Sequence, residues 1–354
     1  MSQRPSTPSG APSDESRWRA APALPPPPRS SPGLLGRVAR SLVSTLLLTS
    51  LALNAYLGFL VYSMTSGPSE AVYLKGDKHY RIVILPVDGL ISDGTYQFIR
   101  EALLALREDL PEAVILRVDS GGGYVTPSDQ IWHELQAFKE ETGIPLIASF
   151  GSTAASGGYY VASPADLIVA EPTTITGSIG VIAEAFTIDG LLGKVGVTPE
   201  VIASTESTKK DMLSPMRPWT EQDRQKLREL LDQAYARFVE VVYQGRASKL
   251  SREQVHELAT GEVFTAEAAQ DLGLVDQIGY LDQAIEAASS EAGIPAGVEP
   301  LVTVMRQPHG LGLLGLVRSP APQPASWLDG RQVRQWALEL SQTRLAYRLS
   351  LVGR

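Results

Sequence analysis

Residues 113–129 read AVILRVDSGGGYVTPSD, and this stretch decides the fold class. The run AVILRV (113–118) is almost continuously apolar, which is typical of a strand buried on both faces of a parallel sheet. The three glycines that follow predict a tight turn. Pro127 lies near the start of the next segment, where it favours a helix over 126–142. Strand, glycine turn and helix in this order indicate an α/β domain.

The same alternation continues on both sides of this stretch. Short apolar runs predict strands, and segments with the helical period predict helices. The pattern predicts largely parallel pairing, with strands over 81–91, 113–118, 145–150, 165–170 and 174–182 and long helices over 95–109, 126–142 and 220–245. In the last helix, Thr220 and Asp223 have the spacing of a capping box, and Gly245 fits the C-terminal stop. Three shorter helices are expected between 251 and 288.

Composition excludes several classes of function. The 354 residues carry a formal net charge of −8 and no basic tract that offsets it, which argues against a nucleic-acid partner. The chain has no cysteine, so it forms neither disulfides nor a cysteine zinc site. The sequence also lacks a metal-ligand cluster and a phosphate-binding glycine loop, and we expect no cofactor and no metal.

The chain divides into five predicted parts. They are a disordered Pro/Ser/Ala-rich tail (1–40), a transmembrane helix (41–64), a linker (65–79), the α/β domain (80–300), and a C-terminal extension (301–354) whose residues 328–354 form a candidate basic amphipathic helix. That last helix has three candidate partners, namely a membrane surface, a neighbouring subunit, or the active site as a tethered peptide.

The transmembrane prediction rests on Leu42–Tyr62, 21 residues without a charge. As a helix they span about 31 Å, the hydrocarbon thickness of a bilayer. A cleaved signal peptide is the alternative, although it usually starts nearer the N-terminus and has a shorter apolar core. Six arginines precede the span and acidic residues follow it from Glu70, so we expect a cytoplasmic N-terminus and an exported domain.

Ser156 is the candidate nucleophile because it lies among small residues in STAASGGYYVAS (152–163). The four histidines, at 79, 133, 256 and 309, lie on ordinary helix faces, at segment ends or in loops, so the sequence favours another base. A lysine kept neutral by burial can take the proton of a serine. Lys209 and Lys210 are candidates, although two lysines before an aspartate are by composition alone a solvated loop.

Three glycine-bearing stretches support acyl-transfer chemistry. In 117–129 a glycine turn follows a buried strand, so its backbone N–H groups are available to bind an oxyanion. Gly157 directly follows Ser156 and offers the second donor. TGSIG (176–180) places Ser178 on a glycine-flanked strand. Each stretch alone is compatible with a simple tight turn.

These motifs together resemble the signal peptide peptidase A (SppA) family, which are membrane-anchored Ser–Lys peptidases. The resemblance covers about residues 80–290 and is carried by RVDSGGGYV, AASGGYYVA, TGSIGVI and KKDMLSPMRPWT in this order. It implies an α/β fold like that of ClpP and the crotonases, a spiral of β-β-α units that assembles into rings.

The resemblance also implies the roles of the site residues. Ser156 is the nucleophile, Lys210 the general base and Ser178 the residue that orients the lysine. Gly157 and Gly123, with Gly122 as the alternative to Gly123, supply the oxyanion donors. The family usually has Asn-Ser-Pro-Gly-Gly where this chain has Asp-Ser-Gly-Gly-Gly (119–123), which puts the rigidity of the oxyanion loop in doubt.

The implied function is a serine endopeptidase that hydrolyses membrane-derived peptides, chiefly remnants of cleaved signal peptides, at the inner (plasma) membrane. In a single-repeat chain, serine and lysine of one site come from neighbouring subunits, so the resemblance implies a homo-oligomeric ring, an octamer. Two alternatives stay open. One is a membrane scaffold that has lost activity, and the other is a crotonase-type thioester enzyme that uses the same backbone donors.

Overall fold

The computed structural model of the chain describes residues 34–65, 68–307 and 346–348. The helices are α1 (Leu34–Thr65), α2 (Asp93–Glu108), α3 (Val125–Thr142), α4 (Gly157–Ala162), α5 (Asp189–Lys194), α6 (Glu221–Arg246), α7 (Arg252–Leu258), α8 (Ala266–Asp271) and α9 (Leu281–Glu291). The strands are β1 (Ser69–Leu74), β2 (Asp77–Asp88), β3 (Ala113–Ser120), β4 (Gly122–Tyr124), β5 (Leu146–Ala155), β6 (Leu167–Ala170), β7 (Ile175–Gly177), β8 (Val263–Thr265), β9 (Gln277–Ile278), β10 (Pro300–Arg306) and β11 (Ala346–Arg348).

The main sheet has the strand order β1-β10-β2-β3-β5-β6-β9. The strands from β10 to β9 are parallel to their neighbours, and β1 pairs antiparallel at one edge. β7 continues beside the end of β5, and β8 pairs antiparallel with β7. In chain order, β1-β2-α2 and β3-β4-α3 are two successive β-β-α units. The predicted α/β class is confirmed.

Two apolar clusters lie on the two faces of this sheet. The larger one contains buried side chains of α2, α3 and α4 and of the long helix α6. The smaller one is covered by α9, whose Ala284, Ile285 and Ala288 pack on Ile82, Ile115 and neighbouring strand residues. Because both faces are covered, the central strands are apolar on both sides, as the run at 113–118 predicts.

Helix α6 begins where the sequence predicts but ends one residue later than expected. The Thr220 side chain accepts the N–H of Asp223, and the Asp223 side chain accepts the N–H of Thr220, so the capping box is present. Gly245, predicted as the stop, lies inside the helix. A Cβ there would lie 1.9 Å from the Ser163 carbonyl oxygen, so close packing against α4 requires this glycine.

The folded domain extends beyond the predicted boundaries of 80 and 300. Strand β1 lies in the predicted linker, and β10 lies in the predicted extension. β10 is inserted between β1 and β2, so both segments belong to the sheet. The predicted strand at 174–182 is shorter, since only Ile175–Gly177 pairs as β7. Residues 346–348 of the predicted basic helix form strand β11, and the rest of that helix lies outside the described residues.

Helix α1 belongs largely to a separate compact unit that ends at Phe59. It contains a candidate membrane span, Arg40–Phe59, with a mean hydropathy of 1.6. The helix is longer than the predicted span at both ends. The predicted disordered tail lies outside the described residues up to residue 33.

The assignment of β10 to the core predicts that Val302→Ala destabilises the domain. Val302 is fully buried, so truncation removes buried methyl groups and leaves a cavity, which costs about 2 kcal/mol of unfolding free energy. The matched control is Val72→Ala on the neighbouring strand β1, where the side chain is 58% exposed and the loss is near zero. Urea unfolding of the two variants measures the difference. Equal stabilities would contradict the extended domain boundary.

Candidate active site

The carboxyl ends of three parallel strands bring the predicted site residues together. Register pairs Ser120 at the end of β3 with Ala154 of β5, and Ala155 of β5 with Gly177 of β7. The glycine turn follows β3, Ser156 follows β5 and Ser178 follows β7, all at the same edge of the sheet. Ser156 and Ser178 are each the first residue after their strand, where the chain changes direction and the backbone is open to a ligand.

Ser156 and Ser178 share an unusual backbone conformation. They have φ values of 54° and 50°, and they are the only non-glycine residues with positive φ in the described part of the chain. Such conformations cost about 1–3 kcal/mol and persist where the surrounding structure holds them. The Ser156 N–H donates to the Gly177 carbonyl oxygen at 2.8 Å, and the Ser178 N–H donates to that of Glu262 at 2.6 Å.

The Ser156 hydroxyl is buried and unpaired. The residue is 1% exposed, and its Oγ has no hydrogen-bond partner among the described residues. A buried hydroxyl without a partner costs about 1–3 kcal/mol, so its presence needs an explanation. No described histidine contacts it, and His133 and His256 are exposed on their helices. The base that serves Ser156 stays a prediction.

Two backbone amides approach each other beside Ser156. A Cβ on Gly157 would lie 3.0 Å from the Gly123 nitrogen and 2.9 Å from the Ser128 Oγ, so this contact requires glycine. Gly157 also begins α4, which places the partial positive charge of a helix N-terminus at the serine.

Gly123 rather than Gly122 has its amide directed away from the body of the sheet. Ile91 donates to the Gly122 carbonyl and accepts from the Tyr124 N–H, so strand alternation turns the N–H of Gly123 to the opposite edge. The Gly122 N–H is already donated to the Ser120 Oγ at 3.0 Å. The Gly123 N–H thus faces strand β11, where Tyr347 lies opposite it, and the choice between the two predicted oxyanion donors stays a prediction.

In the 119–123 motif, the side chains of Ser120 and Asp119 form hydrogen bonds with neighbouring segments. The Ser120 Oγ donates to the Gly89 carbonyl oxygen at 2.6 Å and accepts the Gly122 N–H, so this buried hydroxyl holds the glycine turn that lacks proline.

The Asp119 carboxylate accepts the Ser152 hydroxyl at 2.6 Å and the Thr153 N–H at 3.1 Å, at the irregular register between β3 and β5. Burial and the nearby charge of Asp119 raise the pKa of Asp88. The sequence analysis did not identify Ser120, although its position directly before three glycines is a signal for a residue that holds the turn.

The two candidate lysines lie in a segment of turns and are exposed in the single chain. The Lys209 Nζ donates to the Gln222 Oε1 at 2.8 Å. In the described part of the chain, the ammonium of Lys210 makes no hydrogen bond or ion pair. The structure therefore brings Ser156, Ser178, Gly157 and Gly123 together, and no hydrogen bond joins Ser156 to Lys210 within one chain.

Comparison with known proteins identifies the family. Residues 138–295, which include Ser156, Ser178 and Lys210, match the model of peptidase family S49. A protein of Synechocystis sp. described as a protease is 38% identical over 224 residues, which cover 63% of this chain and 79% of the relative. The chain belongs to peptidase family S49. The predicted serine peptidase activity and the resemblance to the SppA family are confirmed.

Two further similarities accompany this S49 assignment. A protein of Enterococcus faecium described as a signal peptide peptidase SppA is 36% identical over 235 residues, covering 63% of this chain and 67% of the relative. Among solved structures, a mutant of the 1510-N membrane-bound stomatin-specific protease with a substrate peptide has a TM-score of 0.41 at 15% identity. It covers 74% of this chain and 99% of that one.

The hydrogen bonds of Ser120 predict that Ser120→Ala impairs this S49 peptidase. Its removal leaves the Gly89 carbonyl and the Gly122 N–H without their buried partner, and the glycine turn loosens. We expect the peptide hydrolysis rate to fall about tenfold or more. Ser289→Ala, which loses a hydroxyl that donates within helix α9, is the control and keeps its activity. Equal rates in both variants would show that the turn does not need Ser120.

Proposed function

We propose that this S49 peptidase is an endopeptidase in which Ser156 is the nucleophile and Lys210 of the partner subunit is the general base. The observation that carries the proposal is the buried, unpaired Oγ of Ser156 beside the amides of Gly157 and Gly123. Such a hydroxyl is expected where a proton acceptor is supplied from outside the folded chain. In this proposal the same two amides donate to the carbonyl oxygen under attack.

The proposed reaction is acyl transfer. Neutral Lys210 takes the proton of the Ser156 Oγ, which attacks the peptide carbonyl carbon, and the charge that develops on oxygen is stabilised by the Gly157 and Gly123 N–H groups. The lysine ammonium then gives its proton to the leaving amine. In the second half it takes a proton from water, which hydrolyses the ester on Ser156 and restores the free hydroxyl.

Ser178 is proposed to orient the incoming lysine. It is 7% exposed and follows Gly177, whose carbonyl accepts the Ser156 N–H, so the two serines are neighbours across β5 and β7. We propose that the Ser178 hydroxyl binds the lysine that approaches Ser156.

The proposed assembly is a ring of identical subunits, with eight as the expected number. Lys210 is exposed in the single chain, in keeping with a role on a neighbouring copy. Large apolar side chains close before it are also exposed, and Ile202 is 94% exposed. The other exposed members of this patch are Phe186, Leu191, Val195, Val197 and Val201. Burial of this patch against a second copy would remove apolar surface from water.

The proposed substrates are extended peptides released in or near the membrane, chiefly remnants of cleaved signal peptides. The printed description of the Enterococcus faecium relative supports this class. The outer edge of β4 supports extended binding, because β11 pairs there antiparallel with Tyr347 opposite Gly123. A substrate strand at this edge would lie beside the oxyanion donors.

The proposed location is the inner (plasma) membrane, with α1 as a single span. The arginines before the span support a cytoplasmic N-terminus, and we propose that the peptidase domain lies on the opposite side.

Single substitutions test the proposed Ser–Lys pair. Ser156→Ala and Lys210→Ala each abolish peptide hydrolysis, because one removes the nucleophile and the other the base. Lys209→Ala, the adjacent control, keeps near-normal activity because that side chain is bonded to Gln222. An active Lys210→Ala variant would reject this base.

Mixed rings test whether one site takes residues from two subunits. When inactive Ser156→Ala and Lys210→Ala chains are assembled together, a shared site regains both groups wherever the two variants are adjacent in the right order. For random equal mixing we expect about a quarter of the wild-type activity. Chains assembled separately and then combined without exchange are the control and stay inactive. Mixed rings without activity would mean that both groups come from one chain.

A further inference from the structure

The segment that carries Lys210 has no regular structure of its own. Residues 205–217 contain turns but neither helix nor strand. The backbone bonds near the lysine are local, with the Lys210 N–H donating to Ser207 at 3.0 Å and the Met212 N–H to Lys209 at 3.2 Å. Turns with few contacts of this kind open easily. A base held here needs support from side chains outside the turn.

Arg217 supplies a link between this turn and the rest of the chain. Its Nε donates to the Asp211 Oδ2 at 2.7 Å, and a second nitrogen lies 3.4 Å from the Oδ1. Another guanidinium nitrogen donates to the Asp223 Oδ2 at 2.7 Å. One guanidinium thus binds the residue next to Lys210 on one side and helix α6 on the other. A lysine cannot reproduce this fork.

Asp223 is a fixed anchor for that link. Its side chain is 3% exposed and accepts both the N–H and the hydroxyl of Thr220, in the capping box that begins the 26-residue helix α6. The Trp219 Nε1 adds a bond to the Ser214 carbonyl oxygen at 3.0 Å. Helix α6 packs into the core, so the anchor shares the stability of the domain.

We propose that Arg217 is a positioning residue for Lys210, which it holds in place by bridging Asp211 to the cap of α6. This inference rests on the proposed function, in which Lys210 is the general base. Arg217 does not touch the reacting atoms, and it acts through the backbone of Asp211.

Arg217 has a second effect, on charge. A free carboxylate at Asp211 would attract the ammonium of Lys210 and favour its protonated form. The hydrogen bonds from Arg217 hold the pKa of Asp211 below its usual value and commit that carboxylate to the arginine. The other charged group of the cluster, Asp223, is bound to the same guanidinium, and the neighbouring Lys209 is bound to Gln222. Arg217 therefore keeps the Asp211 carboxylate from Lys210, and the other acidic side chain of the turn, Glu206, makes no ion pair with Lys210 in the described part of the chain.

The first arm of the test is kinetic. In full-length rings, Arg217→Ala lowers kcat for peptide hydrolysis by about 10–100-fold with little change in KM, since a misplaced base costs rate rather than binding. Arg217→Lys, which keeps the charge but loses the fork, gives an intermediate loss. The matched control is Arg228→Ala, which breaks an exposed ion pair with Glu221 near the start of α6 and leaves kcat within about twofold. Ring size and thermal unfolding are measured on all variants.

The second arm separates positioning from a general loss of structure. In Arg217→Ala, the midpoint of the pH–kcat profile moves up by about one unit, because Asp211 is released beside Lys210. In the double variant Asp211→Asn with Arg217→Ala, that carboxylate is gone, so the midpoint returns to the wild-type value while kcat stays low. A purely structural role of Arg217 gives neither the shift nor its reversal.

Two outcomes overturn the inference. One is an Arg217→Ala ring with the kcat of the Arg228→Ala control, and the other is a pH profile that does not move. Failure of the proposed function is distinguishable, because Lys210→Ala would then remain active whatever Arg217 does. An inactive Lys210→Ala together with a normal Arg217→Ala rejects the positioning role alone.

Discussion

The left-handed backbone of Ser156 is the constraint on which the rest of the site depends. A residue with a side chain adopts φ near 54° only where neighbouring groups hold it, and here the hold is the bond from its N–H to Gly177 on β7. That bond requires β7 to continue the sheet beside the end of β5, and the antiparallel β8 fixes β7 in turn. In this conformation the chain turns abruptly from strand into α4, so the hydroxyl and the first helical N–H come to the same edge.

The close approach of Gly157 and Gly123 follows from the same turn. A side chain at either position would collide with backbone or with Ser128, so the contact admits only glycine. The close approach of the two glycines therefore leaves little room for a substitution at either position. Gly121 stands where the family has proline. Buried Ser120, which the family motif shares, ties the turn to Gly89 and Gly122 through its hydroxyl.

The sequence predicts the centre of the fold better than its edges. The apolar runs of β3 and β5 and the period of α6 are strong because both faces of the sheet are covered. Strand β1 is predicted as part of a linker, because its apolar run AVYL (71–74) is only four residues long and no further strand signal accompanies it. Strand β10 lies more than 200 residues beyond β1 and β2, and pairing over that separation leaves no local signal. Gly245 was misassigned because close packing and helix termination both favour glycine.

The candidate site shows the same difference between positions with a local sequence signal and positions that depend on long-range contacts. The serine and glycine positions follow from strand ends and turn chemistry, which are local, whereas the place of Lys210 depends on contacts between segments. Its turn has no period, and its link to α6 through Arg217 joins residues that look like ordinary surface charges in the sequence. The link differs from ordinary surface charges because it is half-buried, with the Asp211 and Arg217 side chains only 30% and 28% exposed. An ion pair so placed is screened less by water than one on the open surface, and it can hold a flexible base. In the proposed mechanism, a nucleophile fixed by backbone geometry and a base fixed by an ion-pair link meet when two subunits assemble.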